Sequence, residues 1–434
     1  MAHARRTLVP AAVTEFLGSA RFNSAIATLA VGLAFSTHAV RSVIGWPGLI
    51  AALAALVLLA GISFVAQWRL IEWHGLLPLS ILLFVGWCAV SVFWSSYQWA
   101  TLAGSAYQVA FTFLGIYIAL VRDAIQIVRV VGDVLRFLLV VSLALEVLSG
   151  LLIDLPIAFL GIQGNIALGG PIQGIFATRN QLSIVALIAF VTFLVELRTR
   201  SVRPPRAAFS ITLAVLCILL THSPVIAAVS VFVGLATLAL YLLRKLRPAP
   251  RRYAEVGLAI VVVLSVALAF FYRTGVIDLL NARADFQVRY RLWMQIWGLI
   301  PQNGLQGWGW VGAWPVDIYP FWAINLNSGA PHANGLNAYL DVFLQVGVVG
   351  LILFVVLVAL AFGRSWLLGA NKRSVVYVWA PLVLVALLLT SVFESSILVE
   401  SGWLVLIVCA VKASQGMSWR NALPRHEPRA DQPG

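Results

Sequence analysis

The sequence predicts an all-α, polytopic helical membrane protein of about twelve transmembrane helices, and three observations predict it. Hydrophobic residues make up 61% of the 434 and charged residues only 10%, at a mean hydropathy of +0.96. The apolar runs approach the roughly twenty residues that a membrane-crossing helix needs, and they lack the ten-residue alternation of a barrel strand. The basic residues concentrate in the connectors between those runs.

Taken in order, the apolar runs place spans near 23–40, 46–66, 76–94, 99–121, 130–153, 181–197, 207–222, 224–243, 254–272, 337–362, 375–393 and 399–415. Residues 1–22 and 416–434 read as cytoplasmic tails, residues 23–272 as the first nine spans, and 337–415 as the last three. No apolar stretch before the first span ends in a small-residue cleavage site, so the N-terminal tail reads as retained. Cys88, Cys217 and Cys409 all lie within apolar runs, which implies neither a disulfide framework nor a metal site.

With an even number of spans, both termini share a side, and the positive-inside rule orients the set. Placing the termini in the cytoplasm puts 22 of the 29 Lys and Arg residues in inside connectors. The formal net charge of +13 is therefore mainly a topology signal and does not call for a nucleic-acid partner. Six arginines remain outside: Arg41, Arg179, Arg273, Arg283, Arg289 and Arg291. Arginine's planar fork suits bidentate binding of phosphate.

Two outer connectors are long enough to carry chemistry. The first, 154–180, is glycine-rich and ends with Arg179 at the mouth of the next helix, where a cation and a helix N-terminus together would form one wall of an anion site. The second, 273–336, holds four of the outer arginines and a dense set of tryptophans. Within it, Phe286, Val288, Leu292, Trp293, Ile296, Trp297 and Ile300 recur at helical spacing, which predicts an amphipathic interfacial helix ending near Pro301 and Gly304. The following Gly307-Trp308-Gly309-Trp310-Val311-Gly312 predicts a tight turn presenting indole faces to a cavity, where sugars or lipid headgroups would stack. His332 stands among small residues on the same side, and a neutral imidazole there is placed to take a proton from a sugar hydroxyl. The outer carboxylates Asp154, Asp278, Asp285, Asp317, Asp341, Glu394 and Glu400 read as scattered, so no paired acidic motif for a divalent cation is expected. No phosphate-binding loop of the nucleotide-hydrolase kind occurs, and no cofactor is expected.

The layout resembles the bacterial O-antigen ligases, in the wider group that includes O-antigen polymerases. The resemblance rests on Gly174-Ile175-Phe176-Ala177-Thr178-Arg179-Asn180, on Arg289-Tyr290-Arg291-Leu292-Trp293, on Gly304 to Trp310, on His332 to Asp341, and on Gln345 to Gly350. It covers roughly Gly170 to Trp403. Two departures stand out. The family often has Asn directly after the histidine, whereas His332 precedes Asn337 by five residues. Ser223-Pro224 also stands where the family often has Ser-Arg.

The resemblance implies a glycosyltransferase in the bacterial inner membrane with a periplasmic active site, acting in lipopolysaccharide biosynthesis. It would transfer a glycan from undecaprenyl pyrophosphate to the lipid A-core oligosaccharide, without a metal and with inversion. Arg179, Arg289 and Arg291 or Arg283 would hold the pyrophosphate, and His332 would serve as base. Trp293, Trp308, Trp310, Asn334 and Asn337 are the sugar and lipid candidates. A polymerase would use the same chemistry on a second undecaprenyl-linked glycan. A transporter is the alternative from another class, disfavoured because the span middles carry few ionisable groups, Glu146 being the clearest exception.

Overall fold

The structure is a computed structural model that describes residues 15–68, 78–246, 248–272, 275 and 283–417. Most of the two expected tails lies outside the described residues, as do Arg69, Arg247 and Arg273. The helices are α1 (Ala20–Ala66), α2 (Leu79–Val90), α3 (Gln98–Val121), α4 (Ala124–Val147), α5 (Arg179–Arg198), α6 (Pro204–Leu220), α7 (Pro224–Lys245) and α8 (Pro248–Phe271). After them come α9 (Arg283–Leu299), α10 (Phe321–Ser328), α11 (Ala338–Asn371), α12 (Trp379–Thr390) and α13 (Glu400–Gly416).

Among the described residues, six helices are long and apolar enough to cross a membrane: Ala20–Ala66, Gln98–Val121, Ala124–Ile153, Arg179–Arg198, Pro224–Lys245 and Ala338–Asn371. That is fewer than the twelve spans expected, and the reasons are local. Straight, the 47 residues of α1 would extend about 70 Å. Instead its ends meet: Asn23 Nδ2 donates to Gln67 Oε1 at 3.1 Å, and Ser63 Oγ donates to Asn23 Oδ1 at 2.8 Å. The chain turns at Gly45-Trp46-Pro47, where Gly45 takes φ +70°, so two expected spans are the arms of one hairpin. Leu79–Phe93, Pro204–Leu220 and Val375–Thr390 are apolar but shorter.

α5 packs against α4, α6 and α12, while α13 packs against α1, α3 and α11. Indole N–H groups inside this bundle find threonine hydroxyls on neighbouring helices, Trp379 with Thr192 at 2.9 Å and Trp403 with Thr112 at 2.8 Å. Arg136 joins α4 to α5 and α6 through Glu196 at 2.6 Å and Ser210 at 2.6 Å.

Helix ends assigned to one side by charge lie together. Arg122 reaches Ala20 O and Ser24 Oγ, Arg244 reaches Gly369 O, and Arg364 reaches Ser414. The segments that carry the candidate site gather at the opposite ends of these helices.

α11 is broken at Val346 and Gly347 (φ +67°, ψ −171°). A break inside an apolar bundle exposes carbonyls that have no water to bond. The turn after α9 supplies the donors: Trp308 N to Leu344 O at 3.1 Å and Gly309 N to Gln345 O at 2.7 Å. Trp87 Nε1 donates to Val346 O at 2.9 Å, and Val348 N returns a bond to Gly304 O at 2.9 Å. A Cβ on Gly347 would strike the Leu305 carbonyl, and its φ/ψ is one that essentially only glycine adopts. Gly347→Ala should therefore cost about 1–3 kcal/mol or more, read as a lower unfolding temperature in detergent. Gly363→Ala, in the same helix with open space around it, should be neutral or stabilising; equal losses in the two variants would remove the break from its role.

Candidate functional site

α9 starts close to its expected position and brings Arg289 onto its buried face together with Leu292 and Ile296. The amphipathic reading is corrected here: Val288 and Trp297 face outward at 47% and 52% exposure, and an arginine takes the inner stripe. An arginine can occupy that stripe only because its charge is met. Arg289 Nη2 lies 2.9 Å from Glu394 Oε1, Nε donates to Phe393 O at 3.1 Å, and Nη1 donates to Asp285 O at 3.1 Å. The two charged side chains are only 7% and 15% exposed.

Glu394 collects a second donor on the same oxygen, Asn180 Nδ2 at 2.6 Å, and Ser223 Oγ donates to Asn180 Oδ1 at 2.8 Å. Asn180 follows Arg179, the first residue of α5, whose N-terminus is capped by Thr178 Oγ1 accepting from Gln181 N at 3.1 Å. Arg179 Nη2 pairs with Asp285 Oδ2 at 2.7 Å, with the side chains about a third exposed. The run Ser223, Asn180, Glu394, Arg289, Asp285, Arg179 thus joins the starts of α5 and α7, the face of α9 and the loop after α12. Burial pushes the Glu394 carboxyl up from the ordinary carboxylate value, and the Arg289 guanidinium pulls it back.

Three of the seven carboxylates have a structural part here: Asp285 and Glu394 sit on the two arginines, and Asp341 organises the neighbouring loop. Asp341 is fully buried on α11. It accepts from Trp314 Nε1 at 2.7 Å, Gly335 N at 3.0 Å and Gln345 Nε2 at 2.8 Å. Gln345, one turn on, accepts from Val311 N and Gly312 N. This column fixes the backbone that leads to and from His332.

His332 is half-buried, and its backbone is clasped by Asn325 of α10, with N to Oδ1 at 2.9 Å and Nδ2 to O at 3.3 Å. Its loop docks on α9 one turn beyond Arg289, where Trp293 Nε1 donates to Gly335 O at 3.1 Å. The loop is also tied to the Glu394 segment, because Ala338 N donates to Ser391 O at 2.8 Å. Burial lowers the His332 pKa below its ordinary 6.5. Leu336, between Gly335 and the helix cap, takes φ +47°, an uncommon conformation for a bulky residue.

The other sequence candidates divide. Arg283 and Arg291 are exposed; each lies two residues from a member of the network, about 200° round the helix from Asp285 and Arg289. Trp310 does not present its face to a cavity: it is fully buried and meets Phe84 edge-on at 5.9 Å. Trp308 is half-buried against Tyr319. Asn337 caps α11 by accepting from Tyr339 N and Leu340 N, and Asn334 Oδ1 accepts from Leu336 N, so both serve the local backbone. His222 is exposed and takes φ +47° beside Gly170. Sequence reading gave no site role to Glu394, Asn180, Ser223 or Asn325. Asn180 carried a signal as the end of the Gly174 to Asn180 run, and Ser223 carried one at the position where the family often has Ser-Arg. Among the described residues, no group of three or more His, Cys, Asp or Glu side chains gathers as metal ligands do.

Removing the Glu394 side chain leaves Arg289 buried without its counter-charge. Glu394→Ala should lower the unfolding free energy by about 3–5 kcal/mol, and Glu394→Gln, which keeps an acceptor for Asn180 Nδ2, by about 1–3 kcal/mol. Denaturant unfolding of the purified protein in detergent measures both, and equal losses would show that the charge on Glu394 does not matter.

No curated protein matches the chain. The family described as O-antigen ligase matches over residues 207–355, from α6 into the middle of α11, a stretch that includes Ser223, Arg289 and His332 but not Arg179, Asn180 or Glu394.

Proposed function

We propose that this protein is an O-antigen ligase, moving a glycan from undecaprenyl pyrophosphate to the lipid A-core oligosaccharide. The reaction would take place on the periplasmic face of the bacterial inner membrane. The observation that carries this reading is the convergence of Arg179 and Arg289 on Asp285, beside the His332 loop docked on the same helix. The short apolar helices and both arms of α1 then also cross the bilayer, with the two termini in the cytoplasm.

The two arginines differ in what they can do. Arg289 has all three nitrogens engaged and little exposure, so its work is to hold α9 against the Glu394 segment. Arg179 is partly open and, among the described residues, is bound through Asp285 Oδ2, so a pyrophosphate competes with that carboxylate for the guanidinium fork. The exposed Arg283 and Arg291 lie elsewhere around α9 and would meet the donor as it enters.

In the transfer, neutral His332 takes the proton of the acceptor hydroxyl as its oxygen attacks the anomeric carbon from the face opposite the pyrophosphate. The bond to the pyrophosphate oxygen breaks, undecaprenyl pyrophosphate leaves with its charge met by Arg179, and the configuration inverts. No step calls for a metal. The family's polymerase chemistry differs only in the acceptor.

The test is transfer from a purified undecaprenyl-pyrophosphate glycan in detergent with EDTA, offered rough lipopolysaccharide or a second undecaprenyl-linked unit. Modified lipopolysaccharide supports the ligase; elongation on undecaprenyl pyrophosphate makes the protein a polymerase; transfer to neither defeats both. His332→Ala should lower kcat by about 10²–10⁴-fold. Because the base works in its neutral form and burial lowers its pKa, the acid limb of kcat/KM should fall below pH 6.5. A limb that persists in His332→Gln would assign it to another group. Arg289→Lys keeps the charge but not the fork, so it should lose activity together with thermal stability; full activity would remove Arg289 from the site.

A further inference from the structure

The loop 154–180 borders a half-open cavity of about 270 Å³ next to Arg179, and apart from Arg179 its polar lining has no part in the transfer chemistry above. Its polar lining is Glu146, Gln163, Asn165, Gln173, Thr178 and Arg179. Glu146 is 1% exposed, near the end of α4. Its Oε1 accepts from Gln173 N at 2.9 Å and Gly174 N at 2.8 Å. These amides come that close because Gly174 takes φ +56° against Ser142, where a Cβ would collide. Its other oxygen, Oε2, is buried and has no hydrogen-bond partner among the described residues. A buried carboxylate oxygen without a donor costs free energy that a ligand N–H or O–H would return.

The rest of the lining identifies the class of ligand. Three side-chain amides line it; each gives one N–H to a backbone carbonyl, Gln163 to Gly161, Asn165 to Pro171 and Gln173 to Leu160, and keeps a second N–H and its carbonyl oxygen, which matches the hydroxyl and acylamino groups of a sugar. A lone carboxylate is too few for a divalent cation. The volume lies just under the range of about 300–1,000 Å³ typical of drug-sized pockets, which suits one ring and not an oligosaccharide. Arg179 lines the cavity and also belongs to the ion-pair network, so a sugar in the cavity would be joined directly to a phosphate at that guanidinium.

We propose that this cavity is a monosaccharide subsite, holding the sugar bonded to the pyrophosphate of the donor, with Glu146 Oε2 accepting from that sugar and Gln163 and Asn165 bonding its hydroxyls. The proposal rests on the reading of Arg179 as a pyrophosphate ligand. It makes this protein selective for the first sugar of the glycan, held with its anomeric carbon open to the acceptor hydroxyl.

Binding of farnesyl pyrophosphate, and of its derivatives bearing one glucose, galactose or N-acetylglucosamine on the terminal phosphate, tests this on the purified full chain in detergent by microscale thermophoresis. The tightest sugar derivative should bind at least tenfold better than farnesyl pyrophosphate. Gln163→Ala and Asn165→Ala, at exposed and half-buried loop positions, should each reduce that ratio to threefold or less, and Glu146→Gln should remove it. Equal binding of all four probes by the unaltered protein overturns the subsite and leaves the pyrophosphate reading standing. A ratio that stays tenfold in both loop variants overturns the location. Failure of every probe to bind overturns the subsite together with the reading of Arg179.

Discussion

A carboxylate placed where water barely reaches it, Glu394, is the constraint on which the outer half of this protein depends. Such a charge is tolerated only when donors surround it. The donors come from distant parts of the sequence: Arg289 from α9, and Asn180 from the start of α5, itself held by Ser223 at the start of α7. One side chain thereby sets the position of three helix starts or faces relative to the end of α12. Arg179 and His332 are positioned as a consequence, the first by being the neighbour of Asn180, the second by riding on a loop bonded to α9 and to Ser391.

The helical class, the start of α9 and the glycine-rich turn after it were legible in the sequence because composition and periodicity report them directly. The break in α11 was not, because it falls inside one apolar run and acts through packing that no single window contains. The inward face of Arg289 was hidden for a related reason. Periodicity assigns a charged residue to the outside, and only a partner about a hundred residues away reverses that assignment. Glu394 gave no pattern of its own, being a single acid after an apolar run. Trp310 misled in the opposite sense, since an indole between two glycines reads as a platform, and its burial against Phe84 follows from the turn seating itself on the break in α11.

The two outer segments solve different physical problems. Residues around His332 are held by a column of buried acceptors, Asp341 and Gln345, which leaves the backbone little freedom while the imidazole itself remains half-exposed. The segment before α5 is held from its two neighbouring helices, by Glu146 on two amides, by Ser142 Oγ on Ile175 N and by Leu220 O on Ile172 N, with Ile172, Ile175 and Phe176 buried beneath it.

The break in α11 has a consequence for how the protein is made. The donors that satisfy Leu344 O and Gln345 O belong to residues 308 and 309, which leave the ribosome before α11 exists. When α11 partitions into the bilayer, the segment able to accommodate its bend has already been synthesised. The order of synthesis thus sets the donors ahead of the carbonyls they satisfy, and the bend in α11 meets partners that already exist.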